Sequence, residues 1–320
     1  MPITLHWQLP KMADMGRPQN PTGGRDDLQI DMSRCLRTRF CESSCRRCAA
    51  ACPQGAISLE GVLSTDAERC TGCLVCTTVC PSGALEHDGD FSTVLAQLSR
   101  VPEPVLGCIR TKESSHAALA CLGGLSEEHL VTLCCSLPGK LTLNLTACGD
   151  CPNGATMPRL RQRADQLSGA GLMDGSGQIV MVESHHDLAF RDETVGRRSF
   201  FKSLRNSLFQ SAALVLSSHN EQSEQHTAYA GKRLPARRVL LNRTRETASR
   251  ALADRIGRHF DSCVSFKESC SSCQGCVAIC PAGALQTEHH DTLPAFDRLL
   301  CTGCGLCREF CMDQALMISK

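Results

Sequence analysis

Sixteen of the 24 cysteines fall into four groups of four, arranged as two pairs at opposite ends of the 320-residue chain. Thiolates are soft ligands for iron and zinc, and short turns between cysteines aim successive thiolates at one centre. The first pair consists of Cys41, Cys45, Cys48 and Cys52, followed by Cys70, Cys73, Cys76 and Cys80. The second consists of Cys270, Cys273, Cys276 and Cys280, followed by Cys301, Cys304, Cys307 and Cys311. This repeat predicts four metal centres in two domains.

The tails that follow the four groups are also alike, reading PQGAI, PSGAL, PAGAL and MDQAL. Three groups end in Cys-Pro, whereas Met312 takes the place of proline in the last one. The first group departs in another way, because three residues rather than two separate Cys41 from Cys45. Cys35 lies just upstream and is an alternative to Cys41 as a ligand. Zinc is the alternative metal, since C-x2-C pairs also bind it in structural sites.

The pattern resembles that of the bacterial dicluster [4Fe-4S] ferredoxins over residues 31–90 and 263–320. In that family the fourth cysteine of each group ligates the cluster of the other group. The resemblance implies four [4Fe-4S] clusters, held by Cys41, Cys45, Cys48 and Cys80; by Cys70, Cys73, Cys76 and Cys52; by Cys270, Cys273, Cys276 and Cys311; and by Cys301, Cys304, Cys307 and Cys280. It also implies short hairpins and short helices in each block, with the clusters serving as much of the core.

The segment between the two cysteine blocks has a different pattern of apolar and polar residues. Its apolar pattern predicts strands at residues 105–109, 141–145 and 178–182. Helices are expected at 130–137, where Ser126 reads as an N-cap, and at 157–167. Strands that alternate with helices favour a parallel or mixed sheet.

Four cysteines of this segment, Cys108, Cys121, Cys148 and Cys151, lie near the ends of predicted strands. Because α/β sheets commonly place functional groups at the carboxyl ends of strands, these thiols are expected to converge on a fifth centre. Their order resembles the small delta subunit of hydrogenase and heterodisulfide reductase complexes, which implies a [2Fe-2S] cluster. Zinc, a redox-active dithiol at Cys148 and Cys151, and reduced core thiols are the alternatives.

The sequence predicts an α+β protein in which two ferredoxin-like dicluster domains flank a small α/β domain and a helical, partly flexible linker. Within the linker, basic and apolar residues interleave at 197–209, a polar tract follows at 217–225, and a further helix is expected at 246–259. The predicted divisions are an extended segment at 1–30, dicluster domains at 31–95 and 263–320, a cysteine-rich α/β domain at 100–189, and the amphipathic helix with its linker at 190–262.

Charge and hydropathy argue against several function classes. The 34 Lys and Arg residues against 33 Asp and Glu give a net charge of +1, which offers no electrostatic basis for binding nucleic acid. No apolar stretch is long enough to cross a bilayer, and the first residues do not read as a secretory signal, so a cytoplasmic location is expected. The basic helix is expected to pack on a neighbouring domain or subunit, with peripheral membrane contact as the second reading.

These observations predict an iron-sulfur electron-transfer protein, or oxidoreductase subunit, that passes single electrons through four [4Fe-4S] clusters. A redox partner protein or a larger oxidoreductase complex is the expected setting. The glycine loops of nucleotide sites are missing, so no organic cofactor is expected. Two alternatives stay open: a reductase of a disulfide or small sulfur compound that acts at the central cysteines, and a sensor that releases a partner when cluster loss unfolds a domain.

Overall fold

The computed structural model describes residues 27–87, 89–173, 178–191, 231–287, 289 and 291–320. Most of the predicted extended segment at 1–30, the basic helix at 197–209 and the polar tract at 217–225 lie outside the described residues. Within the described ranges, no helix combines the length and the apolar character needed to cross a membrane.

The N-terminal unit combines two-stranded antiparallel sheets with short helices. Its elements in chain order are β1 (Leu28–Ile30), α1 (Leu36–Arg39), α2 (Arg47–Ala51), β2 (Ile57–Ser58), β3 (Ser64–Thr65), α3 (Val75–Val79) and β4 (Leu85–His87). Strand β1 pairs with β4, so the two ends of the unit meet, and β2 pairs with β3. Cys52 and Cys80 are the C-caps of helices α2 and α3, and each is followed by proline. Proline disfavours helical backbone at the residue before it, so the helices stop there.

Thiols make up much of the interior of this unit. The buried residues of its core cluster are Leu28, Cys35, Cys48, Leu63, Leu74, Cys76, Cys80, Ala84 and Leu85. A unit with so few large apolar side chains needs a further source of stability, which bound metal supplies in many small domains.

The central unit is a small α/β layer structure. Its elements are α4 (Phe91–Leu98), β5 (Val105–Cys108), β6 (Ala117–Leu119), α5 (Glu127–Ser136), β7 (Leu141–Asn144), α6 (Met157–Gly169) and β8 (Ile179–Val182). The strands form one parallel sheet in the order β6-β5-β7-β8, so their carboxyl ends share one edge. The sequence does not predict β6 or α4; β6 has three residues, too few to show a pattern. Ser126 caps α5 by accepting a hydrogen bond from the N–H of His129.

Helices α7 (Ala236–Thr247) and α8 (Arg250–Phe260) pack on the central unit. Leu241 and Ile256 belong to the same buried cluster as the sheet residues. The hydroxyl oxygens of Thr132 in α5 and Thr244 in α7 lie 3.0 Å apart. Helix α8 overlaps the helix predicted at 246–259, whereas α7 is not predicted. The burial of apolar side chains in both helices joins residues 236–260 to the central core.

The C-terminal unit repeats the plan of the N-terminal one. Its elements are β9 (Cys263–Phe266), α9 (Gly275–Ile279), β10 (Leu285–Gln286), β11 (Ala295–Phe296), α10 (Leu306–Phe310) and β12 (Leu316–Ser319). Strand β9 pairs with β12 and β10 pairs with β11, all antiparallel. The C-caps of its two helices are the fourth cysteines of their groups, Cys280 and Cys311, as they are for α2 and α3.

Candidate iron-sulfur centres

The second N-terminal site is a cavity lined by Cys52, Cys70, Cys73 and Cys76. These are the four thiols predicted to hold one cube, and Cys52 comes from the other group. Leu74 is one of the apolar residues that complete the wall. Four thiols around an apolar cavity form the donor set that a [4Fe-4S] cluster requires, so the residues present fit that group.

Left-handed backbone at Gly72 and Leu74, with φ of 67° and 58°, shapes the loop of this site. A branched residue with positive φ is unusual and strained, which points to a tightly specified turn. The chain therefore turns sharply twice between Cys70 and Cys76, and this lets three closely spaced thiols face one cavity. The equivalent pairs in the C-terminal unit, also with positive φ, are Ser272 with Gln274 and Gly303 with Gly305.

The inner C-terminal site is a cavity lined by Cys280, Cys301, Cys304 and Cys307. This set also matches a predicted ligand set, again with one thiol from the other group. Burial raises the pKa of Cys307 to about 12, because a thiolate is poorly solvated there. Metal binding must therefore displace a proton from this thiol.

The outer C-terminal site is the predicted set of Cys270, Cys273, Cys276 and Cys311. Burial raises the pKa of Cys276, and the nearby thiols of Cys270 and Cys273 also raise it. Cys276 and Cys311 pack against the same core cluster, whereas Cys273 is exposed. The predicted ligands thus share one region of the molecule that lies closer to solvent than the inner site.

The first N-terminal site is a cavity lined by Cys35, Cys45, Cys48 and Cys80. Cys41, the predicted ligand, is exposed and does not line this cavity. The structure brings three of the four predicted thiols together at this cavity, and Cys35 lines it with them.

The two N-terminal sites lie beside each other. Burial raises the pKa of Cys76 in the second site, and Cys48 of the first site is among the thiols that raise it further. Burial also raises the pKa of Cys48 to about 12, with Cys80 as the next contribution. Negative charge on the thiols of one site therefore raises the pKa of a thiol in the other.

Hydrogen bonds reach sulfur atoms in both N-terminal sites. The N–H of Ala56 donates to Sγ of Cys52 at 3.3 Å, and the hydroxyl oxygen of Ser82 lies 3.8 Å from Sγ of Cys80. Hydrogen bonds to ligating sulfurs are one of the means by which proteins set cluster potentials.

The central thiols, Cys108, Cys121, Cys148 and Cys151, gather near the shared edge of the parallel sheet. Burial raises the pKa of Cys121 to about 12, and Cys73 of the second N-terminal site, Cys108 and Cys151 are the thiols that raise it further. Burial likewise raises the pKa of Cys148 to about 11, with contributions from Cys108 and Cys151. The four predicted residues therefore lie within electrostatic reach of one another and beside the N-terminal unit.

Within the part of the chain that the structure describes, no three His, Cys, Asp or Glu side chains are placed to hold a single metal ion. A [2Fe-2S] cluster or a zinc ion among the central thiols stays a prediction. Of the other cysteines in this unit, Cys134 is buried in α5 and Cys135 is partly buried, as expected for core residues.

Comparison with known proteins identifies the two cysteine blocks. A 4Fe-4S dicluster domain family matches residues 41–84, and a second 4Fe-4S dicluster domain family matches residues 269–316. The chain thus contains two 4Fe-4S dicluster domains, as its cysteine pattern predicts. Two such domains correspond to four [4Fe-4S] clusters.

A curated relative also carries an oxidoreductase name. Pyruvate synthase subunit PorD from Methanothermobacter marburgensis is 33% identical to this chain over 54 residues. The alignment covers 17% of this chain and 60% of PorD, so the chain spans less than two thirds of the length of that relative. No solved structure matches.

Proposed function

We propose that this chain, with its two 4Fe-4S dicluster domains, passes single electrons along one line of iron-sulfur centres between a donor and a partner oxidoreductase. Bound [4Fe-4S] clusters supply one-electron oxidation and reduction. The residues of the chain supply the order and the spacing of the centres. The observation that carries the proposal is the direct contact between the two dicluster domains at their cysteine loops.

Arg47 links the two dicluster domains. Its side chain lines the first N-terminal site, and its guanidinium donates a hydrogen bond of 3.1 Å to the carbonyl oxygen of Gly303. Gly303 lies in the loop between Cys301 and Cys304, two thiols that line the inner C-terminal site. Burial raises the pKa of Cys304 to about 11, and the charge of Arg47 acts in the opposite direction. One side chain therefore touches both sites.

Residues next to Arg47 extend this contact. The rings of Phe40 and Phe310 meet edge to face with their centroids 5.3 Å apart. The hydroxyl of Ser44 donates to the carboxylate of Glu309. Both Phe310 and Glu309 belong to α10, which begins in the inner C-terminal site. These contacts hold the first N-terminal site against the inner C-terminal site.

Asn153 joins the central thiols to the second N-terminal site. Its side-chain amide donates to the carbonyl oxygen of Thr71 at 3.1 Å and to Sγ of Cys121 at 3.8 Å. A Cβ at Gly123 would lie 2.9 Å from the carbonyl oxygen of Cys73, so the two loops approach as closely as glycine permits. The proposed line of four centres therefore runs from the second N-terminal site, which lies beside the central thiols, through the first N-terminal site to the inner and outer C-terminal sites.

Two arginines of α7 fix the spacing along this line. Arg237 donates to the carbonyl oxygen of Cys80 at 2.6 Å and pairs with Glu128 of α5 at 3.2 Å. Arg238 follows it and donates to the carbonyl oxygen of Cys301 at 3.3 Å. Because both carbonyls belong to cluster-site cysteines, α7 ties the sites to the central unit.

A larger oxidoreductase complex is the proposed setting. PorD is named as a subunit of pyruvate synthase, and the likeness of this chain to PorD supports a subunit role here. The partner is a redox protein that docks near one end of the line. The net charge of +1 gives no reason to invoke nucleic acid, and a reducing cytoplasm suits the many free thiols.

The proposal is tested by iron and acid-labile sulfide analysis of the full chain, purified without oxygen, followed by reductive titration. About 16 iron and 16 sulfide per chain are expected, with uptake of about four electrons, one for each cube. The reduced chain is then mixed with ferricyanide, a one-electron acceptor of high potential. Stoichiometric zinc with little iron, or full iron without electron transfer to the ferricyanide, contradicts the proposal.

A reductase of a disulfide or small sulfur compound is the second candidate, favoured by the position of the central thiols at one end of the line. Cys148 and Cys151 are half-buried, which leaves them within reach of a small substrate. Two electrons from the line and two protons from solvent would convert one disulfide into two thiols. Alkylation of Cys148 and Cys151 should then abolish turnover while all four cubes persist.

The iron count also separates the three proposals for the central thiols. An excess of about two iron and two sulfide over four cubes marks a [2Fe-2S] cluster among them. One zinc ion per chain beside four cubes marks a zinc site. Four cubes alone, with two alkylatable central thiols, fit the dithiol.

A further inference from the structure

We infer that Cys35, and not Cys41, completes the first N-terminal site together with Cys45, Cys48 and Cys80. The inference rests on the four-cluster content proposed above and names one ligand within it. The 4Fe-4S dicluster domain match begins at Cys41, and the spacing along the sequence also favours Cys41. Four observations on the folded chain favour Cys35 instead.

The first observation is the placement of the two thiols. Cys35 is 9% exposed and belongs to the same core cluster as Cys48 and Cys80. It lines the cavity of the first N-terminal site, which Cys41 does not. Cys41 is exposed in a turn after α1. A cluster ligand must face the other three thiols, and Cys35 is the thiol that does so.

The second observation comes from three equivalent turns in the two dicluster domains. In each turn, a residue directly after a strand donates its N–H to the carbonyl oxygen of the alanine in a cysteine-group tail. The three hydrogen bonds, each of 2.8 Å, run from Asp66 to Ala56, from Asp297 to Ala284 and from Lys267 to Ala315. The first cysteine of a group follows each donor within four residues, at Cys70, Cys301 and Cys270.

The fourth turn of this kind identifies Cys35. Asp31, directly after β1, donates its N–H to the carbonyl oxygen of Ala84 at 2.8 Å. Cys35 follows Asp31 after four residues, whereas Cys41 follows it after ten. The N–H of Cys35 also bonds to the carbonyl oxygen of Met32 at 3.1 Å, three residues back. Cys270 makes the same bond, at the same length and spacing, to Lys267. Cys35 is thus the structural counterpart of Cys270.

The third observation is the backbone around Cys45. In each of the other three groups, the residues before and after the second cysteine have positive φ, for example Gly72 and Leu74 around Cys73. Among the described residues, Ser44 is not one of those with positive φ, and Arg46 has φ of −131°. The tight double turn is absent here. A first ligand that lies many residues before Cys45 in the chain does not need this double turn.

The fourth observation is that the residues between Cys35 and Cys45 have a separate task. They include α1 and the residues Phe40 and Ser44, which contact α10 of the C-terminal unit. Nine residues separate the two cysteines, where the equivalent interval in the other groups has two. The extra length forms a docking segment, and Cys41 lies at its surface.

Two matched variants, Cys35→Ala and Cys41→Ala, test the inference in the full chain purified without oxygen. Cys35→Ala is expected to lose up to about four of about 16 iron atoms per chain. Cys41→Ala is expected to keep the iron and sulfide content of the natural chain. Iron loss in Cys41→Ala with full content in Cys35→Ala overturns the inference. A natural chain without iron overturns the proposed function instead, so the two failures are distinguishable.

Alkylation of the natural chain gives an answer that does not depend on the folding of a variant. The iron-loaded chain is treated with iodoacetamide without oxygen, and the modified cysteines are identified by mass spectrometry. Cys41 is expected to react at once, because it is exposed and unligated. Cys35 is expected to react after a chelator has removed the iron and the chain has been unfolded. Protection of Cys41 together with rapid labelling of Cys35 overturns the inference.

Discussion

The first N-terminal site and the outer C-terminal site occupy equivalent positions in their domains but differ in exposure. Cys48 and Cys80 are buried, whereas their counterparts Cys276 and Cys311 are partly exposed. The first N-terminal site contacts the C-terminal unit, through Arg47 above all. In the proposed line, the first N-terminal site is therefore an internal relay, and the outer C-terminal site is the terminus open to a partner.

The residues that follow the last cysteine of each site, which form its rim, also differ in exposure. Pro81 follows Cys80 and is buried, whereas Met312 follows Cys311 and is 94% exposed. Proline restricts the backbone, so its replacement leaves the rim of the outer site less rigid. A relay gains from fixed spacing, whereas a terminus must admit a partner surface. The outer C-terminal site is therefore the proposed point at which electrons pass to or from the partner.

The largest expected effect comes from breaking the line between the two compared sites. Cys304→Ala removes a thiol from the inner C-terminal site, so up to about four iron atoms per chain should be lost. The titration should then take up about three electrons instead of about four. Electron delivery to the partner should slow by about tenfold or more, equivalent to about 1.4 kcal/mol in the barrier.

Cys263→Ala serves as the matched control for this change. Cys263 is exposed at the start of β9 and belongs to none of the four sites. Its variant should keep about 16 iron atoms and the full electron uptake. Full iron in Cys304→Ala would show that the inner cavity is not a cluster site.

The docking of the C-terminal unit is tested at Asp261. This buried carboxylate pairs with Arg238 at 3.1 Å and with Arg245 at 2.8 Å, just before β9 begins. Asp261→Ala leaves the buried Arg238 without its carboxylate partner, which should lower the free energy of unfolding by about 3–5 kcal/mol. Denaturant unfolding of the iron-loaded protein measures the change.

Arg298→Ala is the control for Asp261→Ala. Arg298 also pairs with Asp261, at 3.3 Å, but its side chain is 56% exposed. An exposed pair contributes at most about 1 kcal/mol, so this variant should unfold close to the natural protein. Equal effects of the two substitutions would contradict a buried anchor at Asp261.

A smaller effect is expected at the contact between the two dicluster domains. Arg47→Ala removes the hydrogen bond to Gly303 while leaving every predicted ligand in place. Iron content should not change, and electron transfer between the domains should slow by about tenfold, or about 1.4 kcal/mol in the barrier. Stopped-flow absorbance of the clusters measures the rate. Arg46→Ala, which removes a neighbouring exposed arginine, should leave it unchanged.

The sequence predicts the local parts of these sites better than their arrangement. The spacing of Cys70, Cys73 and Cys76 predicts three thiols at one cavity, because short turns determine where successive side chains point. The parallel order of the central strands likewise follows from their alternation with helices. Both depend on neighbours along the chain.

Long-range contacts explain what the sequence does not predict. Arg47 and Gly303 are 256 residues apart, and no local pattern marks them as partners. The same holds for Cys35, whose position is defined by the pairing of β1 with β4 rather than by its distance from Cys45. The turn that Asp31 makes with Ala84 becomes visible when the two ends of the unit meet.

The smallest expected effect lies in the tail of the outer C-terminal site. Gln314 has φ of 46°, where the equivalent residues Gly55, Gly83 and Gly283 have φ of 56°, 67° and 72°. A non-glycine residue is strained in this conformation by about 1–2 kcal/mol, and added freedom of the unfolded chain offsets part of the gain from glycine. Gln314→Gly should therefore stabilise the C-terminal unit by about 0.5–1 kcal/mol, as measured by denaturant unfolding.

The opposite change at an equivalent turn provides the control. Gly283→Ala places a Cβ where φ is 72° and should destabilise the same unit by about 1 kcal/mol. If Gln314→Gly also destabilises the unit, the strain assigned to this tail is absent. The looser rim of the outer site would then have to come from Met312, because the missing proline would be the remaining difference between the two tails.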